Sequence, residues 1–132
     1  MGDYAAVAIG GAVGTGLRLA VDILVPHGDS AFPLSTLVIN VVGGFSLGVV
    51  VALLWNTAPR WVRAGLGAGL LGSFTTFSAL AVSLVALGSV GEWMIAVGYL
   101  VASLALGLAA AAFGLRLGSR ASRPVAIDLV DE

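Results

Sequence analysis

Apolar residues run along this chain in four long stretches separated by short polar punctuation. The first covers about residues 4–25 and gives way to Pro26-His27-Gly28-Asp29-Ser30, a cluster of turn formers. The second covers about 34–55 and stops at Asn56-Thr57-Ala58-Pro59-Arg60. The third covers about 64–87 and stops at Gly88-Ser89-Val90-Gly91-Glu92, and the fourth covers about 93–115. A helix rises 1.5 Å per residue, so about 20 apolar residues cross the ~30 Å hydrocarbon core of a bilayer, and every stretch is long enough. The pattern predicts an all-α membrane protein, a single domain of four transmembrane helices over residues 1–120. Polarity returns after Leu115, and residues 121–132 are expected to form an exposed, poorly ordered tail.

Composition agrees with that reading. Of the 132 residues, 59% are hydrophobic and 10% charged, whereas soluble domains run near ~45–50% and ~25%, which excludes a water-soluble globule. The absence of cysteine removes disulfides, thiolate chemistry and Cys-ligated metals. A net charge of −1 argues against a nucleic-acid partner. Trp55, Trp61 and Trp93 fall at predicted span ends, where amphipathic rings favour the headgroup level. Gly10/Gly14, Gly44/Gly48 and Gly65/Gly69 are small-xxx-small pairs, which let helices approach closely in lipid. Tight packing is expected within the chain and against another subunit. Met1-Gly2-Asp3 offers no basic segment ahead of the first span, so no cleavable signal is expected.

Charge predicts the orientation. An even number of spans puts the N-terminus, the second loop and the C-terminus on one side. Arg60, Arg63, Arg116, Arg120 and Arg123 lie there, five of the six basic residues. Arg18, the sixth, sits within the first span toward the other side. The positive-inside rule then places both termini in the cytoplasm, with the chain multi-pass in the cell membrane.

Polar groups inside hydrocarbon are costly and usually functional. Arg18 lies four residues before Asp22, so it is either a snorkelling or i,i+4-paired interface residue or a fixed positive potential at the mouth of an anion path. Asn40, with Thr36 one turn earlier, is either interhelical glue or a source of two N–H donors for a small anion losing its water. The third span carries Gly69-Leu70-Leu71-Gly72-Ser73-Phe74-Thr75-Thr76-Phe77-Ser78. That run suits a helix break whose carbonyls meet a cation, or a continuous helix whose hydroxyls bond back to earlier carbonyls. Phe74 and Phe77 either face lipid or turn their electropositive ring edges to an anion. Tyr99 and Ser103, one turn apart, form a donor track or ordinary packing groups. No Glu or Lys lies within a span, and no Ser/His/Asp set, phosphate loop or metal-binding cluster is present, so the chain is not expected to be an enzyme.

Taken together, these residues resemble the CrcB/Fluc family of fluoride channels, small four-helix membrane proteins. Gly10-Gly11-Ala12-Val13-Gly14-Thr15-Gly16-Leu17-Arg18 is similar to the family's Gly-rich first helix ending in Arg. Pro33-Leu34-Ser35-Thr36-Leu37-Val38-Ile39-Asn40-Val41-Val42-Gly43 is similar to its P-x-G-T-L-x-x-N-x-x-G, with Ser35 for Gly. The third-span run is similar to its G-G-F-T-T-F-S-T-F region, with Ser73 for the second Gly. The resemblance covers all four helices. It implies an antiparallel, dual-topology dimer that passes fluoride selectively out of the cytoplasm and so reduces fluoride toxicity. It also implies a structural, untransported Na+ at the dimer centre, held by main-chain carbonyls that map to Gly72 and Thr75. The fluoride path maps to Asn40, Phe74, Thr76, Phe77, Ser78, Tyr99 and Ser103, with Arg18 setting the potential at the mouth.

Departures from the family pattern matter too. The second phenylalanine of the box is Leu80, preceded by Ala79 where Thr is usual, and the next hydroxyl beyond Ser103 is replaced by Gly107. Leucine has no polarised ring edge to offer an anion. A dual-topology homodimer needs nearly balanced loop charge, but here the arginines are concentrated on one side. A heterodimer with a paralogue of opposite topology is therefore expected, in which one pore is free to drift. A non-conducting structural subunit is the alternative. A small multidrug-type exporter needs an embedded carboxylate in the first helix, which residues 4–19 lack.

Overall fold

The computed structural model describes residues 2–25 and 32–121. Among them every regular element is a helix, and four segments are long and apolar enough to cross a membrane. Helices α1 (Asp3–Leu24) and α2 (Leu34–Leu54) are the first two spans. The third comprises α3 (Arg60–Arg63), a π-helical segment (Ala64–Leu71), α4 (Gly72–Phe74) and α5 (Phe77–Ser89). Helix α6 (Trp93–Ala121) is the fourth.

Small residues decide which helices touch. Helix α1 lies against the third span, where a Cβ on Gly14 would collide with the Leu70 carbonyl and one on Gly69 would stand 2.8 Å from the Val7 carbonyl. Helix α2 lies along α6, where Gly48 meets the Ala111 carbonyl and Gly114 the Phe45 carbonyl with no room for a methyl. Such close backbone approach supplies the van der Waals contact that holds helices together where lipid removes the hydrophobic drive. Large apolar side chains point the other way: Ile23, Leu24, Met94, Val97 and Leu108 are exposed. The buried apolar set is short, namely Ala6, Ile39, Leu71, Leu80, Leu87, Ala96 and Tyr99.

The helix ends have local causes. Helix α5 closes with Gly91 at φ 82°, Glu92 N–H donating to Leu87 O at 2.9 Å and Gly91 N–H to Gly88 O at 3.1 Å. This is a Schellman closure, which requires a left-handed residue and therefore favours glycine. Helix α2 ends at Trp55, whose carbonyl accepts from Arg63 Nη1 at 2.8 Å. Asp3 in the first turn of α1 pairs with Arg60 Nε at 2.8 Å. These contacts, with Gly118 packed against α2 at Val49 and Ala52, bring Arg60, Arg63, Arg116 and Arg120 to one end of the bundle.

Helix α6 runs six residues past the expected span end at Leu115. Arg116 and Arg120 are good helix formers, Ser119 bonds back to Leu115 O at 2.7 Å, and buried Gly118 extends the seam with α2. The turn cluster holding His27, the tail beyond Ala121 and Arg123 lie outside the described residues.

Candidate functional site

Two residues of the third span, Thr75 and Thr76, are extended (φ −75°, ψ 153° and φ −148°, ψ 122°) between α4 and α5. Extended backbone in an apolar setting must find partners for its polar groups. Asn40 on α2 supplies them for Thr76, with Oδ1 accepting from Thr76 N–H at 2.8 Å and Nδ2 donating to Thr76 O at 3.0 Å. A carboxamide is the side chain that matches a peptide group, one acceptor and one donor, in this way. Thr76 also caps α5, its Oγ1 accepting from Ala79 N–H at 3.2 Å and lying 3.0 Å from Ser78 Oγ. Thr75 bonds back, Oγ1 donating to Leu71 O at 2.9 Å.

These bonds have a consequence for the neighbouring carbonyls. In a continuous helix Thr76 N–H would donate to Gly72 O, and Ala79 N–H to Thr75 O. Here the first goes to Asn40 and the second to the Thr76 hydroxyl, so Gly72 O and Thr75 O both lose their helical donors. Gly43, one turn beyond Asn40, makes space for the arrangement: a Cβ there would collide with Thr75 Cγ2 and stand 3.2 Å from Phe74 Cδ1.

Two cavities flank the extended pair. A groove of about 380 Å³ is lined by Asn40, Gly72, Thr75, Thr76, Phe77 and Ser103, with Leu80 and Gly107 also on its wall. A second cavity of about 330 Å³ is lined by Arg18, Asp22, Thr36, Thr76 and Ser78. Thr76 faces both. Arg18 and Asp22 do not pair, because the ion pair found among the described residues is that of Arg60 with Asp3. Phe77 is 76% exposed and Leu80 is buried. The groove is therefore open along the side that carries Phe77.

Ser103 stands on the groove wall, and Tyr99 lies one turn before it on α6. Tyr99 is fully buried, its ring edge-on to Phe32 at 5.2 Å, and its hydroxyl sits among those of Thr36, Ser83 and Ser103. Neither Tyr99 OH nor Ser103 Oγ reaches a protein partner at hydrogen-bonding geometry. Phe74 does not line the groove itself, and its ring lies against Gly43, which does. Sequence reasoning missed the clamp role of Asn40, the cradle at Gly43 and the hydroxyl of Ser83. The Asn-x-x-Gly spacing, which puts Asn40 and Gly43 on one helical face, was the available signal for the first two.

Fold and site together define a small multi-pass membrane protein that gathers its few intramembrane polar groups around an extended pair in the third span. The sequence pattern of the family described as CrcB-like protein, Camphor Resistance (CrcB), matches residues 5–115. The chain belongs to this family. Among its relatives, the fluoride-specific ion channel FluC of Paracoccus denitrificans is 41% identical over 112 residues, covering 85% of this chain and 90% of its own. The FluC of Deinococcus radiodurans is 41% identical over 117 residues, covering 86% and 93%. That of Chloroflexus aurantiacus is 36% identical over 121 residues, covering 89% and 96%.

Proposed function

We propose that this chain is a subunit of a fluoride-selective ion channel that lets fluoride leave the cytoplasm down its electrochemical gradient, reducing fluoride toxicity. The observation that carries the reading is the convergence of Asn40, Thr76, Phe77 and Ser103 on one groove, in a chain whose relatives bear that name. Fluoride is small and strongly hydrated, so a dry route must replace its water with fixed donors. Asn40 keeps one Nδ2–H beyond the one given to Thr76 O, Ser103 and Tyr99 bring hydroxyls without protein partners, and Phe77 brings a ring edge. Arg18 shares the second cavity with Asp22 but is not bonded to it, so its guanidinium offers N–H donors to an anion beside Thr36 and Ser78. No carboxylate is embedded at mid-span to couple a proton, which supports a passive movement, and relatives named as ion channels support a chain that is not an enzyme.

Gly72 O and Thr75 O, each without its helical donor, suit a hard cation, and a structural Na+ bound there would neutralise their partial charge. The exposed Phe77 and the open groove call for a second subunit, in the antiparallel arrangement the family resemblance implies. Because the described arginines of the loops and of α6 gather at one end, that partner is a paralogue of opposite topology, with both termini of this chain cytoplasmic. Leu80, buried where the family motif has a phenylalanine, favours a second reading in which this chain only completes the partner's pore.

Expression in a bacterium lacking its own fluoride exporter tests the proposal. Growth on fluoride medium is restored, alone or with the paralogue, and Asn40→Ala abolishes the protection. Absence of protection in both arrangements overturns it. Protection that needs the paralogue and survives Asn40→Ala identifies the structural-subunit reading instead.

A further inference from the structure

A third depression lies away from the extended pair, between α2 and the start of the third span. It has a volume of about 520 Å³ and is lined by Leu47, Val51 and Trp55 on one side and Ala64, Gly67 and Ala68 on the other, with Arg60 and Arg63 also lining it. Leu47, Val51 and Trp55 succeed one another at i, i+4 and i+8, so they form a single stripe about 12 Å long. The facing wall is built of small residues, and a Cβ placed on Gly67 would meet nothing within 4 Å. The result is an apolar slot running along the bundle, with its cationic end at the level where the arginines gather.

The arginines are arranged to receive an anion. Arg63 is fixed by its Nη1 bond to Trp55 O and lies 5.8 Å from the centre of the Trp55 ring, which leaves the rest of its guanidinium free. Arg60 is 85% exposed and commits Nε to Asp3, leaving its terminal nitrogens available. Two cations and one carboxylate give the rim a net positive charge. A guanidinium matches a phosphodiester through paired N–H donors, and Trp55 is the residue type that favours the headgroup level.

We propose that this slot is a binding site for one anionic phospholipid, with a phosphodiester on Arg60 and Arg63 and an acyl chain along the Leu47–Val51 stripe. Charge complementarity selects the lipid class: a zwitterionic lipid offers the same phosphate but adds an ammonium that the two guanidinium groups repel. The site is independent of the fluoride reading, since it shares with the central groove only Leu47 and Gly67. It joins the polar end of the bundle to the leaflet richest in acidic lipid if the arginine end is cytoplasmic.

Native mass spectrometry of the purified full chain in mild detergent, titrated with phosphatidylglycerol and phosphatidylcholine of matched acyl chains, tests the proposal. Phosphatidylglycerol is retained about fivefold better, the difference one unneutralised arginine makes at an acidic surface. Arg60→Gln brings the two lipids close to parity. Ala68→Phe fills the slot from an exposed position and lowers retention of both lipids several-fold. Excess inorganic phosphate leaves the bound lipid in place, because the chain contributes as much as the headgroup. Equal retention of the two lipids by the unmodified protein overturns the proposal, as does displacement by phosphate. A dimer of the unmodified chain that Ala68→Phe abolishes with lipid retention unchanged overturns it too, and makes the slot a contact for a second copy.

Discussion

Asn40 has two tasks that draw on the same few atoms. Its carboxamide closes the Thr76 peptide group with bonds of 2.8 and 3.0 Å, and in the proposed channel its remaining N–H faces the anion. Asn40→Ala leaves Thr76 N–H and C=O without partners in an apolar setting, which costs about 2–6 kcal/mol at roughly 1–3 kcal/mol per buried group. A lowered thermal midpoint in detergent, together with loss of fluoride flux, is the expected result. Gly43→Ala tests the cradle separately. A methyl there collides with Thr75 Cγ2, an overpacking change worth about 1–3 kcal/mol, and the α4–α5 junction has to shift while Asn40 stays chemically intact. Flux is expected to fall although every donor is retained. Gly107→Ser is the converse case. A Cβ at Gly107 meets nothing within 4 Å, so a serine there is accommodated at its Cβ and brings a hydroxyl to the groove wall. Folding is expected to be unchanged and fluoride flux equal or higher; a loss of flux would contradict a hydroxyl-lined route through this groove.

Close helix approach is the main cohesive device between elements, and it can be tested within α1 alone. Gly14→Ala drives a methyl into the Leu70 carbonyl and is expected to lower the thermal midpoint, whereas Gly16 faces open space. Gly16→Ala gains about 0.5–1 kcal/mol from reduced chain entropy and is expected to be neutral or stabilising. Equal effects of the two would remove the packing explanation. The spans themselves were readable in the sequence, because hydropathy depends on composition over about 20 residues and needs no knowledge of neighbours. The resemblance of Asn40 and the third-span run to the CrcB family was readable too, being a matter of residue type and order. The π-helical turns of Ala64–Leu71 were not, since a run of glycine, alanine and leucine carries no local signal for that form over an α-helix. Nor was the Asn40 clamp, which joins residues 36 positions apart on different helices. The sequence leaves Tyr99 as either a donor-track or a packing residue, and its complete burial beside Phe32 and the hydroxyls of two other helices is a matter of tertiary packing.

The described protomer leaves its polar groove open. Phe77 is mostly exposed, the groove runs alongside it, and Gly72 O and Thr75 O lie without helical donors next to the opening. In a bilayer such a face is costly unless another subunit covers it, which is why the proposed function is that of an assembly. The concentration of arginines at one end makes a further prediction for that assembly. Reporter tags on the two termini of the chain expressed alone are expected to be found on one side only, the cytoplasmic side, while dual insertion would contradict the heterodimer. The most direct test of the whole account is anion competition across a membrane. Liposomes carrying the chain, alone or with a paralogue of reversed arginine placement, are loaded with equal fluoride and chloride, and both ions are followed by selective electrodes. The account predicts that fluoride drains while chloride stays inside; equal release of the two, or retention of fluoride in both preparations, would contradict it.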